Sequence, residues 1–258
     1  MNSYFKNIDL SIIIPCLNEG KNILNTLCLI NSGLINYKIN AEIIAIDDGS
    51  TDNTLQVLES SLKEYKNLTI IKNSSNKGIG KSFSSGVKAA QGDFIVMIPG
   101  DNENNPMEVF RYFELRKDVD IIIPFIVNRN SRSLTRRLIS STYRFINNLF
   151  FGLTLNYMNG TVIYNSKIIK SIEISSVGFF YQTEILIKLI RLGYLYAEVP
   201  SILEERIHGS SKAISFKSLI NVSISFVILF LDIHFFRKSG FAASNFLKNS
   251  ATERRFND

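Results

Sequence analysis

Apolar and polar positions come in blocks along the chain, and the blocks have two lengths. Short apolar runs occupy residues 10–14, 43–46, 68–72, 94–98 and 120–124, the first four stopping at a polar or glycine-bearing turn. Bounded runs of this length read as buried strands. Between them the apolar residues recur at helical spacing: Ile23, Leu24, Leu27 and Ile30, then Leu55, Val57 and Leu58, then Phe83, Val87 and Ala90, then residues 107–115. Strands alternating with helices through short connections imply parallel pairing and right-handed crossovers. The first half therefore predicts an α/β, Rossmann-like nucleotide-binding sheet.

The second half is less regular. Residues 128–138 are basic and polar, with Arg129, Arg132, Arg136 and Arg137. Aromatic and aliphatic residues follow at helical spacing through residue 155, which suits either an amphipathic helix packed on the sheet or a basic-aromatic helix facing lipid. A strand is predicted over 159–164, a helix from the Phe179–Glu184 segment to Gly193, and a strand over 195–199. Residues 219–236 are the most apolar stretch but contain Asn221, Asp232 and His234. This predicts an interfacial or buried helix rather than a bilayer span. The tail after Lys238 is polar and is expected to be loose at its end. The expected division is one domain over 1–212 and a C-terminal helical extension with a polar tail over 213–258.

Bulk composition narrows the partners. A chain of 258 residues with 45% hydrophobic residues has enough material for a sizeable core. Its net charge of +6 favours anionic partners such as nucleotides, phosphates or an anionic membrane face. Two cysteines give neither a disulfide framework nor metal spacing, which points to a reducing, cytoplasmic setting. The N-terminal MNSYFKNIDL does not read as a signal peptide. The basic residues are not interleaved with a recognition module, so no nucleic-acid partner is expected.

The candidate chemistry gathers where strands end. In AEIIAIDDGSTDNT, residues 41–54, an apolar run stops at two adjacent carboxylates, Asp47 and Asp48. Such a pair at the carboxyl end of a buried strand is costly unless it binds something, and in open α/β sheets that edge holds ligands. Asp101 and Glu103 sit two apart in the turn after the fourth strand, a spacing that suits Mg²⁺ or Mn²⁺ on a diphosphate. Gly78 and Gly80, flanked by Lys77 and Lys81, form a loop whose backbone N–H groups suit phosphate. Arg206 and Lys212 bracket a Gly-Ser-Ser turn fit for an anion, and Glu184 opens a helix as a candidate base.

Four segments, SIIIPCLNEGKNI, IIAIDDGSTDNT, NKGIGKSFSSGVKAAQGDFIVMIPGD and FFYQTEILIKLIRLGYLYAEVPSILEERIHGSSK, occur in one order. Together they resemble the inverting family 2 glycosyltransferases of GT-A fold, and most closely the dolichyl-phosphate mannose synthase-like, polyprenyl-phosphate subgroup. The resemblance runs from residue 10 to residue 212. It implies that Pro15, Asn18, Glu19, Asp47 and Asp48 line the pocket for a nucleotide-diphospho-sugar, UDP- or GDP-linked. Gly78, Lys81 and Ser211 join that donor set. It implies a divalent metal at Asp101 with Glu103, and catalytic roles for Asp101, Glu184, Arg206 and Lys212. The acceptor it implies is a polyprenyl phosphate, met peripherally at the cytoplasmic membrane face. The alternatives are a sugar hydroxyl of a surface or lipid-linked glycan, for which Glu184 would be the base, and a non-catalytic nucleotide-sugar-binding protein. Two positions depart from the family pattern: where an Asp-x-Asp metal motif is usual, Pro99 stands for the first acid, and the Asp often found before the later glycine-bearing strand is Asn156 or Asn159 here.

Overall fold

The structure, a computed structural model, describes residues 7–102, 104–128, 134–202, 216–236 and 246–257. Four strand–helix units open the chain: β1 (Leu10–Cys16) and α1 (Ile23–Tyr37), β2 (Ala41–Asp47) and α2 (Thr54–Ser61), β3 (Leu68–Lys72) and α3 (Ile79–Ala89), then β4 (Phe94–Met97) and α4 (Pro106–Phe110). After a 3₁₀ turn come β5 (Ile121–Ile126), α5 (Leu134–Phe151), β6 (Ile163–Asn165), α6 (Ser166–Lys170), α7 (Tyr181–Arg191) and β7 (Tyr196–Ser201). Two further helices follow, α8 (Phe216–Leu231) and α9 (Ala251–Asn257).

One seven-stranded sheet runs β3-β2-β1-β4-β6-β5-β7. Its strands read as unbroken apolar runs because both faces are covered. Along β1, Ile13 packs into a core with Phe83, Phe151 and Ile185, while Ile12 and Ile14 pack into the opposite core with Leu27, Leu58 and Phe110.

The expected parallel pairing holds for β1 with β2 and β4, β2 with β3, and β5 with β7. It fails in the middle, where β6 lies antiparallel between β4 and β5. The fifth strand therefore does not sit beside the fourth. The apolar pattern cannot report this, because a strand buried on both faces looks alike in either direction.

The tail corrects a second expectation. Its end is not loose but forms α9, docked on Asp120 just before β5. Asp120 is fully buried and accepts hydrogen bonds from the Ala251 and Thr252 backbone N–H groups at 2.8 and 2.9 Å and from the Thr252 hydroxyl. Thr252 Oγ1 in turn accepts from Leu195 N at 2.8 Å, and Arg254 donates to the Lys117 carbonyl. A carboxylate at a helix start answers N–H groups that have no partner within the helix. The division expected at 212/213 falls outside the described residues.

Removing the Asp120 carboxylate leaves these buried donors without an acceptor. Asp120→Ala is expected to cost about 3 kcal/mol, or on the order of 6–12 °C in a chain of this size. Thermal melting would read the loss, and limited proteolysis should then cut first near residue 250.

Candidate active site

The strands β1 and β2 end level with each other, Cys16 pairing with Asp47, and β3 ends at Lys72 opposite Asp47. Four loops therefore leave the carboxyl edge of the sheet side by side. Asp48 continues the ladder one step beyond the strands, its N–H donating to the Cys16 carbonyl at 2.8 Å. Its side chain is buried and turns into the third loop. Oδ1 accepts from Asn73 Nδ2 at 2.7 Å and from Lys77 N at 3.0 Å, and Oδ2 accepts from Gly78 N at 2.9 Å. Gly49 follows at φ 76°, where a Cβ would sit 2.7 Å from the Ser75 carbonyl carbon. The turn therefore closes only with glycine.

The first and second loops are laced together. Asn18, left-handed at φ 59°, accepts from Thr51 N at 2.8 Å, while its own N–H donates to Ser50 Oγ at 3.0 Å. Glu19 N donates to Thr54 Oγ1 at 2.8 Å, and Gly20 N to Asp52 Oδ2 at 3.1 Å. Partial burial would raise the Asp52 carboxyl, but hydrogen bonds from Thr54 and Gly20 outweigh it and hold the group below its ordinary range. Asp47, almost fully buried, accepts from Ser50 N at 3.1 Å. Pro15 is half-buried in β1 opposite Ile46.

The loop after β4 folds onto the same place. Thr26 Oγ1 donates to the Gly100 carbonyl at 3.2 Å, and a Cβ on Gly100 would lie 3.1 Å from Cys16 Sγ. Asp101 is half-buried beyond it. The Cys16 thiol is pushed far up, first by burial and then by the negative charges of Glu19, Asp47 and Asp101. Those three carboxylates thus bear on one point, and Cys16 stays a neutral thiol beneath them. Among the described residues no three His, Cys, Asp or Glu side chains cluster as a cation cage. The carboxylates that bear on Cys16 are oxygen donors of the kind a hard divalent cation takes. Glu103 lies outside the described residues, as do Arg206, Ser211 and Lys212.

Gly78 and Gly80 lie at the start of α3, and Lys77 and Lys81 on either side are exposed. Gly80 N donates to the Val177 carbonyl at 2.8 Å, which brings residues 175–177 against the glycine loop. Glu184 is the anchor of that segment. Its Oε1 accepts from Ser175 N at 3.0 Å and Lys188 Nζ at 2.6 Å, and its Oε2 accepts from Ser176 N at 2.8 Å. Burial works to raise the Glu184 carboxyl, but the Lys188 charge and these donors prevail and hold it below the ordinary glutamate range. Such a group contributes stability at neutral pH that is lost as pH falls below about 4.

A cavity that the sequence does not announce opens farther along the same edge. It encloses about 100 Å³ and is lined by Arg137, Ser140, Ser141, Arg144, Asn156 and Tyr157. The first four stand at i, i+3, i+4 and i+7, one face of α5. That spacing is the one signal in the sequence that could reveal the cavity, and the aromatic residues between mask it. Arg144 donates to the Asn156 carbonyl at 3.3 Å, and Glu198 accepts from both Asn156 N and Nδ2. Beside this face α5 exposes Leu134, Leu138, Phe145 and Leu149. Phe150 and Phe151 pack edge-on against Phe226 and Phe230 of α8. Residues Ser218–Phe235 are long and apolar enough to cross a membrane, and 11% of that window is buried. The α8 helix is thus an exposed apolar helix rather than a core helix.

The pattern of glycosyl transferase family 2 matches residues 11–188. The chain is 26% identical over 177 residues to dodecaprenyl-phosphate galacturonate synthase of Rhizobium johnstonii, covering 67% of this chain and 52% of that protein. It is 30% identical over 136 residues to an uncharacterized protein of Methanocaldococcus jannaschii, covering 51% and 57%. The chain thus spans little more than half the length of these two relatives. In fold it is similar to glucosyl-3-phosphoglycerate synthase of Mycobacterium tuberculosis, solved with Mg²⁺ and UDP, at a TM-score of 0.65 and 19% identity over 87% of this chain and 78% of that one. The same enzyme solved with Mn²⁺, UDP-glucose and glycerol 3-phosphate superposes at 0.61 with 20% identity over 87% and 79%. With the family pattern running from β1 into α7, the chain belongs to glycosyl transferase family 2 and has its GT-A, Rossmann-like fold.

Proposed function

We propose that the chain transfers a sugar, with inversion, from a UDP- or GDP-sugar to a polyprenyl phosphate at the cytoplasmic membrane face. The observation that carries this reading is the pairing of an anion-sized cavity with an exposed apolar surface. Arg137, Arg144 and two serines line the cavity, and the apolar stripe of α5 borders it with α8 packed alongside. A lipid phosphate has this composition: a charged head suited to guanidinium donors and a chain suited to lipid-facing helices. Arg136 and the cavity arginines also suit an anionic leaflet. The likeness to dodecaprenyl-phosphate galacturonate synthase points the same way.

The donor belongs at the loops of β1 to β4. Asp47, Asp48, Asn18, Glu19 and Pro15 frame the nucleotide; the expected backbone donors of the Gly78 loop are spent on Asp48 and the Val177 carbonyl, so the loop serves the phosphates through the exposed Lys81. A divalent cation at Asp101, with Glu103, supplies charge neutralisation of the departing diphosphate. Arg206 and Lys212, with Ser211, would add positive charge and a hydroxyl for the phosphates, as the resemblance implies. A phosphate oxygen is already anionic, so attack on the anomeric carbon needs no strong base. The engagement of both Glu184 oxygens by three donors agrees with such a nucleophile. A hydroxyl acceptor would instead require a carboxylate free to take a proton.

The test is a transfer assay with UDP- and GDP-sugars, Mg²⁺ or Mn²⁺, and a short polyprenyl phosphate in detergent. Lipid-linked sugar is the expected product, and Asp101→Ala should reduce its formation at least about a hundredfold. Arg144→Ala should raise the KM for the lipid phosphate about tenfold or more while leaving the donor KM within about twofold. Donor hydrolysis without lipid product, or an Arg144 variant that alters donor KM alone, would overturn the acceptor assignment.

A further inference from the structure

The glycine loop is gripped from two sides, and only one of them faces the donor edge. On the near side Asp48 accepts from Lys77 N and Gly78 N. On the far side Gly80 N donates to the Val177 carbonyl, and a Cβ built on Gly80 would lie 2.3 Å from the Ser176 carbonyl oxygen. Gly78 is similarly close: a Cβ there would lie 2.9 Å from the Val177 carbonyl oxygen. The 173–177 segment therefore forms the rear wall of the loop: its backbone touches Gly80, and the Val177 carbonyl and side chain stand against Gly78.

That wall is held by a buried ion pair. Lys188 and Glu184 lie one turn apart on α7, 7% and 2% exposed. Lys188 Nζ reaches Glu184 Oε1 at 2.6 Å and the Glu173 carbonyl at 2.7 Å. With the Ser175 and Ser176 N–H groups on Glu184, the pair fixes the segment's backbone at residues 173, 175 and 176. Burying two charges is expensive, and an apolar pair of equal volume is often no less stable. What an apolar pair cannot supply is a defined position for those backbone groups.

We propose that Lys188, acting through Glu184, is a positioning residue for the donor site: it sets the rear wall against which the Gly78–Gly80 loop takes its phosphate-facing shape. The inference rests on the reading of that loop as part of the donor site. Lys188 touches no substrate. Its effect passes along backbone contacts from Glu184 to Val177, to Gly80 and Gly78, and so to the exposed Lys77 and Lys81 that this loop carries, while Asp48 holds the loop from the other side through Lys77 N and Gly78 N.

The test perturbs the contact from both faces. Lys188→Met removes the clamp, and Gly80→Ala pushes a methyl group into the wall without touching the charges. UDP and GDP would be titrated calorimetrically, with Mg²⁺, into the full chain and each variant, with thermal melting in parallel. Each substitution is expected to weaken nucleoside diphosphate binding about tenfold, because a displaced loop moves the Lys77 and Lys81 ammonium groups away from the phosphates. The double variant should be little weaker than the weaker single, since both displace one loop. Should Lys188→Met fail to fold, Glu184→Gln/Lys188→Met removes both charges and replaces it in the cycle. Additive losses, or a variant that melts earlier yet binds the nucleotide like the wild type, would overturn the positioning role and leave the donor reading standing. A wild-type chain that binds neither nucleotide would remove both.

Discussion

A single buried carboxylate, Asp48, governs the geometry of the sheet's carboxyl edge. It lies one residue past the end of β2, fastened there by its own N–H on the Cys16 carbonyl. Its two oxygens then collect Asn73, Lys77 and Gly78 from a loop that begins a strand away. A charge buried at this depth is tolerable only when its acceptor capacity is filled, and here backbone N–H groups fill most of it. The order of dependence follows. The level endings of β1 and β2 set Asp48, Asp48 sets the third loop, and that loop sets the start of α3 and its lysines.

The antiparallel strand β6 gives this arrangement its second half. By entering between β4 and β5 it moves β5 and β7 aside while leaving β5 parallel in sense to β4. The loops of β1 to β4 therefore stay contiguous, and the end of β5 contributes Ile126 to a separate cavity with α5. One sheet edge thus carries two regions of opposite character. The first is dense in carboxylates and glycine turns, and the second is lined by arginine and serine beside apolar helices. A two-substrate transfer needs such a division, because each partner must be held by groups the other does not occupy.

Much of the first region was legible in the sequence. Asp47-Asp48 after an apolar run, the Gly49 turn, and the lysine-flanked glycines 78 and 80 announce themselves through local patterns, and strand-end loops depend on little else. The second region was not legible, because it depends on which strand lies beside which. Arg137 and Arg144 look like any basic helix face until the fold brings Asn156, held by Glu198 of β7, to the same cavity. The docking of α9 escaped for the same reason: nothing local to Asp120 tells that Ala251 and Thr252 will arrive 131 and 132 positions later. Residues 103 and 203–215, which carry the rest of the expected site, lie outside the described structure.

Glu184 shows how one residue type admits two meanings until its neighbours are known. In sequence it is a carboxylate at a helix start within a family-like segment, which suits a base as well as a strut. Its surroundings favour the strut: three donors on two oxygens, a lysine one turn away, and a carboxyl held acidic by that charge once its burial is outweighed. A base must give up hydrogen bonds to take a proton, and this one would have to release the wall of the glycine loop to do so. A nucleophile that arrives already ionised removes that conflict. The chemistry of the acceptor and the burial of Glu184 are then two sides of one constraint. On the proposed reading, the site commits Glu184 to geometry, and the negative charge of the attacking group comes with the substrate.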